Sequence, residues 1–158
     1  MLREEQLKIR EDFNKMLTVL NWMDARLTRV EHTLEKLTMD VEDEARAILR
    51  HRIKVELGID IEITSLVLPD LELNLYGVSG DLCVLGEASV RAGTPLLDEL
   101  TKDIERLREK YPERLRRNVL PVLYVCLPLP ELVDEAKKMG IWLLKATQDF
   151  CKPSISLR

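Results

Sequence analysis

Two carboxylates stand where the surrounding pattern calls for apolar side chains. Glu87 lies in the middle of LCVLGEASV, residues 82–90, between the small residues Gly86 and Ala88. Glu44 falls on an apolar stripe, at the position due after Leu37 and Val41. A carboxylate inside an apolar element is costly unless it is paired or bound to a cation. Alternate strand residues share a face, so Asp81, Cys83, Leu85, Glu87, Ser89 and Arg91 form one row. Glu72, Asn74 and Tyr76 form a row on the strand before it. Two chemistries fit this set. One is a cation held by oxygen ligands. The other is a satisfied carboxylate, with Glu87 paired to Arg91 or a helix lysine and Glu44 solvated.

Other chemistries find little support. The three cysteines, Cys83, Cys126 and Cys151, are widely spaced, and there are only two histidines, His32 and His51. That argues against a zinc site and a disulfide framework, and for buried thiols at Cys83 and Cys126 in a reducing cytoplasm. Neither GVSGD nor GEASVRAG forms a phosphate-cradling glycine loop. No serine sits at a nucleophile elbow. The formal charge of −4 excludes a globally basic nucleic-acid binder, and 4% aromatic residues weaken any base-stacking role. A local basic cluster remains: Arg106, Arg108, Lys110, Arg114, Arg116 and Arg117. Arg114, Arg116 and Arg117 are candidate phosphate contacts. The same segment carries Asp103, Glu105, Glu109 and Glu113, so it also reads as a mixed, solvated face.

The elements that must position these residues begin with a long helix. The first forty residues contain neither Pro nor Gly. Their apolar positions run Ile9, Phe13, Met16, Leu20, Met23, Leu27, Val30, Leu34, Leu37, Val41, in alternating steps of four and three. A stripe of mean period 3.5 stays on one side of a helix when helices supercoil, so a coiled-coil homodimer with a rod of about 60 Å is expected. The competing possibility is a helix that folds back on its own domain. The helix continues to Gly58, then strands are expected at 60–68, 71–78 and 82–90, with a tight turn at Ser79–Gly80–Asp81. A helix over 94–111, a buried strand over 118–127, a short helix over 130–140 and a last strand over 141–146 follow. This gives an α/β (α+β) chain: a coiled-coil helix over 1–41, a mixed sheet of about five strands flanked by helices over 42–147, and a tail over 148–158. No run of 18 apolar residues exists, so no membrane role is expected.

The αβββαβ order resembles the PD-(D/E)XK nuclease superfamily, in particular archaeal members in which a coiled-coil helix leads into a nuclease-like domain. Leu71-Glu72-Leu73-Asn74-Leu75-Tyr76-Gly77, then Val84-Leu85-Gly86-Glu87-Ala88-Ser89, carry the resemblance, which covers roughly residues 41–147. It implies a restriction-endonuclease-like core and a Mg²⁺ site held by Glu44, Asn74 and Glu87, with Glu42 or Asp43 replacing Glu44 if the helix phase differs by one or two. Glu87 would be the motif glutamate, Ser89 stands where the family has its lysine, and Arg91 or Lys102 would replace that cation. Asn74 stands where the family has its aspartate. The resemblance therefore implies a DNA-directed nuclease fold with a degenerate site, retained for binding DNA or a protein partner. The alternatives are an active Mg²⁺-dependent DNA endonuclease with a migrated cation, and a coiled-coil assembly protein with no nucleic-acid role. Glu44, Asn74 and Glu87 are expected to converge.

Overall fold

The computed structural model describes residues 1–153; residues 154–158, the end of the expected tail, lie outside the described residues. Helix α1 (Leu2–Leu57) is followed by β1 (Thr64–Leu68), β2 (Leu71–Ser79), β3 (Leu82–Ala92), α2 (Thr94–Lys110), a 3-10 turn at Pro112–Arg114, β4 (Asn118–Pro128), α3 (Pro130–Met139), β5 (Trp142–Lys145) and β6 (Gln148–Cys151). Residues 1–37 form one compact unit, and the described residues 38–153 form a second.

The first unit is helix alone. Its stripe residues are all exposed, from 49% at Met23 to 68% at Ile9. Thr18, Thr28 and Thr33 each return their hydroxyl to the carbonyl four residues earlier, and Arg26 lies over the Trp22 ring at 4.7 Å.

The second unit is a six-stranded mixed sheet in the order β1-β2-β3-β4-β5-β6. β1, β2 and β3 form an antiparallel meander. β3, β4 and β5 are parallel, and β6 returns antiparallel. Parallel neighbours need a crossover, and α2 and α3 supply the two. One sheet face packs Cys83, Leu85, Leu123 and Val125 against Leu97, Leu100 and Leu107 of α2 and Leu132 and Ala136 of α3. The other packs Leu75, Val84, Val122, Tyr124 and Trp142 against Ala45, Leu49 and Ile53 of α1. β4 is buried on both faces, as its apolar run requires. Pro121 is tolerated there because the β5 ladder begins one residue later, at Val122.

β6 is the element that the sequence places in the tail. Its four residues show no clear alternation, and three contacts fix it. Asp149 accepts from Arg52 of α1 at 2.7 Å and from the Trp142 indole at 3.1 Å, and Leu143 pairs with Cys151. The sheet thus has six strands rather than five. Residues 60–63 are not strand, although Ile61 and Ile63 are buried against α1.

Candidate functional site at the β2 bulge

The site is built around one extra residue. Against β1, Leu66 pairs with Leu73 but Thr64 pairs with Tyr76, so Asn74 and Leu75 together oppose Ser65. Such a bulge reverses which face the following side chains take. Leu71 and Leu73 pack towards α2 and α3, Leu75 packs towards α1, and Tyr76 returns to the α2 side. The expected row of Glu72, Asn74 and Tyr76 is therefore broken. Tyr76 donates its hydroxyl to the Arg114 carbonyl at 2.8 Å, while Asn74 meets α1.

Two glycines let neighbouring backbone come close. A Cβ on Gly86 would lie 2.1 Å from the Val122 carbonyl oxygen, and one on Gly77 would lie 2.6 Å from the Glu62 carbonyl oxygen. Each is a close backbone approach that no side chain permits.

Every polar group of Asn74 is engaged. Its Nδ2 donates to Glu42 Oε1 at 3.1 Å, and its Oδ1 accepts from the Ala88 amide at 3.1 Å, just beyond the last β2–β3 pair, Leu75 with Gly86. Its carbonyl accepts from Arg46 Nε at 3.1 Å, and its own amide hydrogen-bonds the Glu87 carboxyl. Arg46 also donates to Asp43 Oδ1 at 2.8 Å and to Glu42 Oε2 at 3.4 Å. Glu42 and Arg46 are each about one-fifth exposed.

Glu44 does not join this group. It is exposed, and its Oε2 accepts the Tyr124 hydroxyl at 2.7 Å; burial of the Tyr124 hydroxyl first, and then this bond, push its pKa well above the ordinary tyrosine range. The reason is helix phase. The buried positions after Val41 are Ala45, Leu49 and Ile53, in steps of four, because a helix lying on its own sheet does not keep the 3.5-residue period. Glu42, the alternative to Glu44, is the glutamate that faces Asn74.

Glu87 shares its row with Cys83 and Leu85, on the α2 side. It is 7% exposed, and its pKa is pushed up to about 8. Burial is the main cause; the Asn74 amide opposes it, and the nearby carboxylates Glu99, Asp103 and Glu42 add to it. Asp103, itself buried, is raised by burial and by Glu99, and lies 3.9 Å from Arg106. The expected Glu87–Arg91 pairing is absent: Arg91 is exposed, and Ser89 Oγ donates to the Arg91 carbonyl at 2.9 Å. Lys102 is exposed on α2. Cys83 is buried, with its pKa raised to about 11, a protonated thiol as expected; Cys126 is half-buried.

The residues that the resemblance implies for Mg²⁺ do not fit such an ion. Mg²⁺ prefers carboxylates and water in octahedral geometry. Glu44 is turned to Tyr124, the Asn74 carboxamide is spent on Glu42 and Ala88, and Glu87 lies in the row on the α2 side of the sheet, away from Glu44. Among the described residues, no group of three or more His, Cys, Asp or Glu side chains is placed to hold a metal.

Arg114, Arg116 and Arg117 are exposed just before β4. Arg116 is held by the Glu113 and Leu115 carbonyls. The register of Leu82 with Asn118 and Glu87 with Leu123 puts the start of β4, which these arginines precede, five residues from Glu87 along the sheet, roughly 16 Å. The rest of the cluster is partly neutralised: Lys110 pairs with the Asp70 carboxylate at 2.8 Å, and Arg106, which donates to the Asp70 backbone carbonyl, lies 3.9 Å from Asp103.

A family profile described as "Domain of unknown function (DUF8196)" matches residues 43–153. The chain belongs to that family. The match spans the sheet, its helices and β6, and covers both Glu44 and the Asn74–Arg46 network; Glu42 lies one residue before it. No curated protein matches the chain. Two solved structures resemble it. One is a "repair endonuclease from Pyrococcus abyssi", at 17% identity over 63% of this chain with a TM-score of 0.46. The other is an "EndoMS-dsDNA2 complex", at 20% identity over 72% with a TM-score of 0.45. The chain spans 45% of each of those chains. Neither likeness bears on the site.

Proposed function

We propose that this chain is a nuclease-like module without nuclease catalysis, working as a homodimer joined through its N-terminal helix and binding nucleic acid or a protein partner. One observation carries the reading: the polar groups at the β2 bulge are satisfied by one another. A hydrolytic site needs donors left open towards a metal, water or phosphate. Here Asn74 is engaged on all sides, and Glu42 uses both oxygens on Asn74 and Arg46. Arg91 is exposed and cannot stand in for a lysine as proton acceptor. The exposed stripe on the first unit supports pairing, since a helix with such a seam buries it against a second copy.

Arg114, Arg116 and Arg117 are the proposed phosphate contacts. Cleavage of plasmid and single-stranded DNA with Mg²⁺ or Mn²⁺ tests the central claim. Wild type and Glu87→Ala should leave the same background. Cleavage lost in the variant would instead establish an active metal-dependent endonuclease. Salt-sensitive DNA binding, weakened by replacing the three arginines with alanine, would support a nucleic-acid partner over a purely assembly role.

A further inference from the structure

We propose that Arg46 is the resident cation of an oxygen-lined notch between α1 and the β2 bulge, and that it keeps divalent metal ions out. This rests on the non-catalytic reading and deepens it. Three oxygens converge on its guanidinium: the Asn74 carbonyl at 3.1 Å, Asp43 Oδ1 at 2.8 Å and Glu42 Oε2 at 3.4 Å. Carboxylate and carbonyl oxygens are the donors that hard divalent ions use. A guanidinium presents fixed, planar N–H groups to several acceptors at once and is weakly hydrated, so it satisfies the same oxygens at a smaller desolvation cost than a hard divalent ion.

The identity of residue 74 follows from this arrangement. With Arg46 in place, Glu42 has one oxygen on the guanidinium and the other on Asn74 Nδ2. The carboxamide both donates to Glu42 and accepts from the Ala88 amide, which a carboxylate cannot do. An aspartate there would accept from Ala88 but set a second carboxylate against Glu42, with Glu87 hydrogen-bonded to the same residue's backbone. Arginine at 46 and asparagine at 74 are thus one device, in which an internal positive charge and an amide donor do the work of an ion.

The device predicts its own reversal. Wild type, Arg46→Ala, Asn74→Asp and the double variant Arg46→Ala/Asn74→Asp are compared as full chains. Mn²⁺ binding is read by the loss of the free-ion electron paramagnetic resonance signal, and thermal midpoints are read with and without Mn²⁺. Wild type and Asn74→Asp should bind no Mn²⁺ at this notch, since the guanidinium still fills it. The double variant should gain one ion and a Mn²⁺-dependent rise in midpoint, and adding Glu42→Gln should abolish both. If the double variant unfolds without metal, recovery of its unfolding transition on adding Mn²⁺ counts as the same gain. Wild type that binds Mn²⁺ in a Glu42-dependent way overturns the proposal, as does a folded double variant that gains no ion. Neither outcome depends on DNA cleavage, so the non-catalytic reading stands or falls separately.

Discussion

At the scale of single residues, the deciding contrast is between two glutamates. Glu42 is about one-fifth exposed and paired with Arg46, whereas Glu87 is buried beside other carboxylates. Burial disfavours the charged form, so the folded protein holds the Glu87 proton up to about pH 8, while the unfolded chain releases it near 4.5. Between those values the folded state binds more protons. Stability is therefore fully present below the unfolded value and falls as pH rises towards 8, by at most about 1.4 kcal/mol per pH unit from this group. Asp103 is raised too and acts in the same direction. Glu87→Gln keeps the shape of the protonated form and cannot ionise. Urea midpoints should match wild type in mild acid, exceed it near pH 8, and show a flatter pH dependence. A wild type whose stability rises between pH 5 and 8 would mean that Glu87 is ionised and paired in the folded state.

At the scale of elements, the order of helices and strands was legible because each carries its own period. The alternation in 71–78, the turn at Gly80, the apolar run of β4 and the glycine after α3 all mark elements that the structure contains. The site was less legible because two small shifts escape periodicity. One extra residue in β2 separates Asn74 from Tyr76, and the change of step in α1 exchanges Glu44 for Glu42. Neither leaves a compositional trace, since both depend on which neighbour the element packs against. β6 escaped for a related reason: its four residues are fixed by Arg52 and Trp142, far away in sequence. The glycine before Glu87 was visible as a small residue, but its role was not. Gly86→Ala would drive a methyl group into the Val122 carbonyl and part β3 from β4, at about 3 kcal/mol or more. Chemical denaturation should show that loss, and amide exchange should rise first along the β3–β4 ladder. A variant as stable as wild type would mean that the two strands lie further apart than described.

At the scale of the whole molecule, the second unit has two buried faces and a satisfied interior, with no buried side-chain polar atom lacking a partner among the described residues. The first unit has neither. Its stripe of nine apolar side chains from Ile9 to Leu37 is at least 49% exposed throughout, far beyond the scattered apolar residues of an ordinary surface. Burying a leucine is worth roughly 1.5–3 kcal/mol. A pair of copies therefore gains substantially from each layer of the seam, while a lone helix gains nothing from it. Leu20 lies mid-stripe, and Leu20→Glu removes one leucine from each copy and puts a charge in its place. The loss of about 3–6 kcal/mol corresponds to roughly two to four powers of ten in the dimer dissociation constant. Sedimentation equilibrium should show wild type as a dimer at micromolar concentration and the variant as a monomer with an unchanged sheet. Lys15→Glu, off the stripe, should leave the dimer intact. If wild type is monomeric, the helix folds back on its own domain and the pairing proposal falls; if Leu20→Glu stays dimeric, the copies meet through the second unit instead.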